Sequence, residues 1–371
     1  MNKLKSLFYN TDKDILILKI TCLFWLLAKL MGRRMWTTQR LLPTVPAFKF
    51  LDYVPSIVHT ILFVLSVSFL ILIFLKKNKY LMIGLLVAEF LSYLLDQNRL
   101  VPWEYLYAFI IFIFIINQDA PALIAPSVIL LLVSTYFYSG LCKLNEGFLH
   151  IVWSNMMLHA FFKVPSEIIN QSWVHYSGYL LGVTELLAGL GLLFKKTKVS
   201  SSVILILLHA LILLLLGPSG LSGYRVLWPW NISMILFLYV IFLYKRSTVI
   251  TFRPATEGWN KLVLVCWVIL PALSFFGYWD RNLSSNLFSA NLPRMIICVN
   301  DTSKCKPLQR FLSKRDIPNT CRGKAKIDIQ AWAIAETGVS AYPEIRTYRI
   351  IQKKLEQQYT AAGLSFVYLD R

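Results

Sequence analysis

The residue whose type and setting most invites chemistry is Lys143, which closes the segment YFYSGLCKLN (136 to 145) at the end of a long apolar run. A lysine at such a helix end has two readings. It can snorkel toward lipid headgroups, or it can be desolvated, which makes its neutral amine available as a base or nucleophile. Two neighbours favour the second. The small residues of YSGL let adjacent helices approach closely, and the amphipathic stretch NEGFLHIVWSNMMLHAFFKVPSEI that follows can lie over the lysine as a roof.

Other ionisable residues sit inside apolar runs, where each costs roughly 2.5–3.5 kcal/mol on insertion. Glu89, Glu185 and His209 are deep, while Lys29, Asp96 and Glu104 lie nearer run ends. Glu185 and His209 fall on consecutive, antiparallel segments, so a carboxylate and an imidazole can meet. That contact is either a buried structural hydrogen bond or part of a proton path or cofactor contact. In GYRVLWPWNIS, Trp228, Trp230 and Asn231 fall level with Lys143. An interfacial aromatic belt accounts for the tryptophans, whereas a buried Asn231 amide needs partners. The cofactor-contact set is thus Glu185, His209, Asn231, Trp228 and His159, around Lys143 as the catalytic residue. His150 and His159 are too far apart in register to share a helix face, and no HExxH or CxxC occurs, so no metal is expected. No G-x-S-x-G, P-loop or dinucleotide fingerprint is present either.

The elements that must position these residues are membrane helices. Of 371 residues, 57% are hydrophobic and only 15% charged, and the mean hydropathy of +0.58 exceeds that of ordinary soluble domains. The expected fold is an all-α polytopic membrane domain over residues 1–279 with a small C-terminal α/β appendage over 280–371. Nine apolar runs are long enough to be spans, at about 15–31, 53–75, 80–96, 104–118, 122–143, 173–194, 199–217, 227–244 and 259–278, with an interfacial helix after the fifth. The first reads as a retained anchor.

The basic clusters Lys76, Lys77, Lys79; Lys195, Lys196, Lys198; and Lys245, Arg246, Arg253 then share the cytoplasmic side with Lys3 and Lys5. Loop 32–52, with Arg33, Arg34, Arg40 and Lys49, is the exception. The N-terminus is therefore expected inside and the appendage outside, in a bacterial cytoplasmic membrane or, in a eukaryote, the endoplasmic reticulum. Lipid is the first partner. The net charge of +19 is shared between anchoring clusters and the tail and shows no aromatic and basic interleaving, so no nucleic-acid partner is expected.

In the tail, 293–300, 325–336 and 364–370 read as strands, KPLQRFLSK as a short helix, and the stretch from Pro343 to Gly363 as a long one. Among Cys298, Cys305 and Cys321, one disulfide is expected, with Cys305 and Cys321 the preferred pair because both lie in turn-rich sequence.

Several stretches together resemble the horizontally transferred transmembrane (HTTM) domain family, whose best-known member is vitamin K-dependent gamma-carboxylase. They are YFYSGLCKLN, FLHIVWSNMMLHAFF, LLGVTELLAGLGLLF, the helix containing His209, WPWNISM and SSNLFSANLP, spread over about residues 10–295. The later membrane segments also look like the DoxX-like redox module. The resemblance implies that Lys143 matches the lysine that deprotonates vitamin K hydroquinone, and that the cofactor is a quinone or hydroquinone. Two departures count against glutamate carboxylation itself. Trp103, in PWEYLY, stands where the carboxylase carries an essential histidine, and the large propeptide-binding region has no counterpart.

Two functional expectations result. One is a membrane enzyme using Lys143 on a lipid-soluble cofactor or an exported peptide. The other is a non-enzymatic scaffold or maturation partner that docks an exported peptide on tail residues such as Arg346, Arg349 and Lys353.

Overall fold

The computed structural model describes residues 13–217, 224–244, 257–286, 288–313 and 320–369. Lys3, Lys5, Lys314 and the cluster Lys245, Arg246, Arg253 lie outside the described residues. Among the described residues, helix falls on each of the nine apolar runs. These are α1 (Lys13–Met31), α2 (Ser56–Leu75), α3 (Lys79–Leu95), α4 (Pro102–Ile116), α5 (Ile124–Leu141), α6 (Tyr179–Gly191), α7 (Lys198–Leu216), α8 (Leu227–Leu243) and α9 (Gly258–Phe276).

By length and composition, four of them can cross a membrane: α2, α5 with its leading turn, α7 and α9. That marks the chain as a membrane protein. The exposed side of α2 carries Ile57, Ile61, Val64, Leu72 and Leu75, so this helix is apolar inside and out, as a helix solvated by hydrocarbon must be.

The other five fall short of that measure. At 1.5 Å per residue, the 15 residues of α4 reach roughly 22 Å. The expected run 173–194 shrinks to the 13 residues of α6. Ser172–Tyr176 forms a separate helical turn, and the chain bends at Gly178, where a Cβ would meet the Trp153 indole at 2.6 Å.

Local chemistry accounts for several helix starts. The Asn78 side chain accepts from Tyr80 N and Leu81 N at the head of α3, and Pro102 opens α4, where its missing N–H is not needed. The segment after Lys143 forms a π-helix, Phe148–Phe161, one face of which buries Phe148, Leu149, Val152 and Met157.

Among its described residues the appendage has three strands, β1 (Arg294–Val299), β2 (Ala325–Asp328) and β3 (Leu364–Leu369), in the order β2-β1-β3, with both pairings antiparallel. The expected strand 325–336 is only half strand. Asp328 accepts hydrogen bonds from Gln330 N and Ala331 N and starts a helix, α10 (Ile329–Thr337), whose apolar residues pack as a helical face. The long helix, α11 (Ile345–Gln358), buries Tyr348, Ile351 and Leu355.

The disulfide joins Cys298 to Cys321, not Cys305 to Cys321. Strand alternation is the reason. Met295, Ile297 and Val299 face the main core together with Cys305, whereas Ile296 and Cys298 face the other side, where Cys321 lies. Cys305 remains a buried free thiol.

The appendage is seated on the helix bundle through polar locks. The Glu336 carboxylate accepts from Leu41 N (2.8 Å), Leu42 N (2.9 Å), Trp332 Nε1 (2.9 Å) and Arg310 Nη2 (3.1 Å). Tyr342 N donates to Asn98 Oδ1 at 3.0 Å, and Tyr224 OH donates to Ser340 Oγ at 2.7 Å. Arg40, part of the exceptional basic loop, is ion-paired with buried Asp96 and donates to Met35 O. It is therefore tied into the bundle as a structural residue.

Candidate functional site

Lys143 sits where α5 and α6 come into backbone contact. A Cβ on Gly140 would lie 2.6 Å from Gly182 O, and one on Gly182 would lie 3.2 Å from Lys143 Cβ. This close approach, which only glycines permit, brings the ammonium to the neighbouring helix. Lys143 Nζ is 2.6 Å from Glu185 Oε2 and also donates to Ser139 Oγ (2.7 Å) and Ser139 O (3.1 Å). Both charged side chains are mostly shielded, at 13% and 16% exposure. Lys143 is thus mostly shielded and one half of an ion pair, a pairing with Glu185 that the sequence did not single out.

His209 does not meet Glu185 as expected. Its Nε2 is 2.9 Å from the Tyr136 hydroxyl and its Nδ1 is 2.8 Å from Asn231 Oδ1. Asn231 in turn donates to Leu227 O at 2.8 Å. The buried amide has the partners it requires, and it orients the imidazole.

These groups line one cavity of about 100 Å³. Lys143, Glu185 and Ser139 contribute polar atoms, as do Tyr136, His209 and Asn231. The rest of the wall is apolar or aromatic, with Phe148, Val152, Met156 and Met157 from the π-helix as its cover and Trp230 and Phe288 completing it. An apolar chamber with a few convergent polar groups is the usual form of a small-molecule site.

Two nominated residues are not brought in. Trp228 Nε1 donates to Leu216 O at 2.7 Å and so caps the end of α7. His159 is exposed on the far side of the π-helix. Tyr136 and Ser139 were missed, although they precede Lys143 by seven and four residues and so share its helix face. Phe288 had no signal, because it reaches the cavity only through the fold of the segment after α9.

Trp103 is fully buried behind the wall, with its ring centroid 6.3 Å from that of Trp230. The histidine search by register overlooked a different pairing: His150 lies beside His175 and Glu146.

A second charged cluster is sealed inside the bundle. Lys29 Nζ is 2.9 Å from Glu89 Oε2 and 3.1 Å from Glu104 Oε2, with Trp25 Nε1 donating to Glu104 at 2.8 Å. All three ionisable side chains are at most 1% exposed, and the cavity lining does not include them.

Fold and site together define a helical membrane protein with a covered, polar-tipped apolar cavity. No family model, no curated protein and no solved structure matches the chain.

Proposed function

We propose that this protein is an HTTM-like integral membrane protein that binds a lipid-soluble quinone or hydroquinone in the cavity and uses the Lys143–Glu185 pair as its base. The observation that carries the proposal is the convergence of two separate polar groups, Lys143–Glu185 and Tyr136–His209–Asn231, on one otherwise apolar chamber. A hydroquinone would supply an acidic hydroxyl there. Lys143 Nζ would pass its own proton to Glu185 Oε2 and take up one from the bound hydroxyl, so the pair would carry one added positive charge facing the head group. Asn231 Oδ1 takes the His209 Nδ1–H, so His209 Nε2 accepts the Tyr136 hydroxyl proton and Tyr136 Oη is left as an acceptor for a second ligand hydroxyl. Trp103 cannot relay a proton, since an indole N–H only donates. Glutamate carboxylation is therefore left out of this function.

All nine helices cross the bilayer in this proposal, with the appendage outside. Contacts at the two ends support alternation. The appendage side gathers residues after α1, α3 and α7. At the opposite end, Asn117 after α4 bonds Asn260 at the head of α9, and Lys13 donates to Ile241 O at the end of α8.

The test is native purification followed by lipid extraction and mass spectrometry. An isoprenoid quinone is expected with the wild-type protein and should be lost from Lys143→Met and His209→Leu. Absence of any such ligand, or equal retention in both variants, overturns the proposal. An Arg349→Ala/Lys353→Ala variant that loses function while Lys143→Ala keeps it would instead favour the peptide scaffold, since both tail residues are exposed.

A further inference from the structure

We infer that Glu146, His150 and His175 form a binding site for Zn²⁺ or a similar late first-row divalent cation. The site is separate from the chemistry proposed for Lys143 and stands or falls without it. The three donor atoms lie within 4.8 Å of one another. His175 Nε2 is 3.3 Å and His150 Nε2 is 3.8 Å from the same oxygen, Glu146 Oε2, and the two imidazole centroids are 4.6 Å apart.

Tetrahedral zinc holds nitrogen and oxygen ligands at about 2.0–2.2 Å, which places neighbouring donors roughly 3.3–3.5 Å from each other. The observed spacing needs only small side-chain rotations to reach that geometry. Two imidazoles with one carboxylate is also a donor set that suits zinc and disfavours Mg²⁺ or Ca²⁺.

Two of the ligands are held from behind, as metal ligands commonly are. His175 Nδ1 faces the Ser154 hydroxyl at 3.4 Å, and Glu146 Oε1 accepts from Tyr179 OH at 3.2 Å. That arrangement leaves His175 Nε2 and Glu146 Oε2 directed at the shared point. An ordinary surface ion pair would occupy the carboxylate with one imidazole, whereas here both rings turn to it. His150 and Glu146 are 68% and 60% exposed, so an ion can enter from solution.

The ligands come from two segments. Glu146 and His150 are at the start of the π-helix and His175 is in the turn Ser172–Tyr176. A bound ion would tie these together and brace the helix that covers the cavity. Three protein ligands leave a fourth position for water.

The test uses full-length protein in detergent, made without a polyhistidine tag and stripped with EDTA, then titrated with Zn²⁺ by calorimetry. One ion per chain is expected, with a rise in melting temperature. His150→Ala, His175→Ala and Glu146→Gln should each weaken binding at least about tenfold, while His159→Ala and a titration with Mg²⁺ serve as unaffected and non-binding controls. Because His150 is so exposed, its variant separates ligand loss from misfolding. X-ray absorption at the zinc edge should show two imidazoles and no sulfur. The site is overturned if the wild type takes up no stoichiometric Zn²⁺, if His150→Ala/His175→Ala binds as the wild type does, or if sulfur is found in the metal's coordination sphere.

Discussion

The two lysine clusters of the bundle use the same chemistry in opposite settings. Around Lys29, two carboxylates share one ammonium in a buried interior, and Glu89 Oε1 and Glu104 Oε1 find no partner among the described residues. Around Lys143, one carboxylate meets one ammonium beside an open cavity. An almost wholly buried ion cluster outside that cavity is placed to hold helices together, not to meet the cavity's ligand. The difference shows that space beside a charged pair, more than its burial, separates a site from a staple.

The largest expected effect comes from breaking the sealed cluster. Lys29→Met leaves two carboxylates uncompensated and should cost about 3–5 kcal/mol, seen as a large drop in melting temperature in detergent. Adding Glu89→Gln and Glu104→Gln should recover most of that loss. A Lys29→Met protein as stable as wild type would erase the distinction between the two clusters.

Gly140→Ala comes next. Its Cβ would press on Gly182 O and Leu186 N, each at 2.6 Å, so α5 and α6 must part at a cost of about 1–3 kcal/mol. Both thermal stability and retained ligand should fall. Lys143→Met combined with Glu185→Gln should cost about 1 kcal/mol or less, because it removes a mostly shielded pair without leaving a charge uncompensated, yet remove the cavity's ligand. That split between stability and binding, read by melting and by lipid mass spectrometry, sharpens the comparison most. Trp228→Phe should change neither cavity ligand nor base chemistry and should cost about 1 kcal/mol for the lost bond to Leu216 O, measured by melting alone.

Much of the site was legible because a charged or amide residue in an apolar run is conspicuous. Glu185 and His209 could be nominated on depth, Lys143 as a lysine closing an apolar run and Asn231 as an amide level with it, and all four line the cavity. Their pairing was not legible. Antiparallel order allowed Glu185 to meet His209, but the glycine contact between α5 and α6 delivers it to Lys143 instead. Trp228 and His159 were nominated by level along the chain, and their rotation about the helix axis put them elsewhere. The cysteine pairing failed for a similar reason, since turn-rich flanks say nothing about which face of a strand a thiol occupies.

By itself, the sequence determined that this chain is a membrane protein, that its apolar runs are helical, and which polar residues are costly enough to require a role. Hydropathy and composition act locally, so they can be read from local sequence. Only the tertiary structure decided that Lys143 is paired and beside a cavity, that Lys29 is paired and sealed, and that Glu146, His150 and His175 converge. Those outcomes depend on helix rotation, on backbone approach at Gly140 and Gly182, and on contacts between residues far apart in the chain.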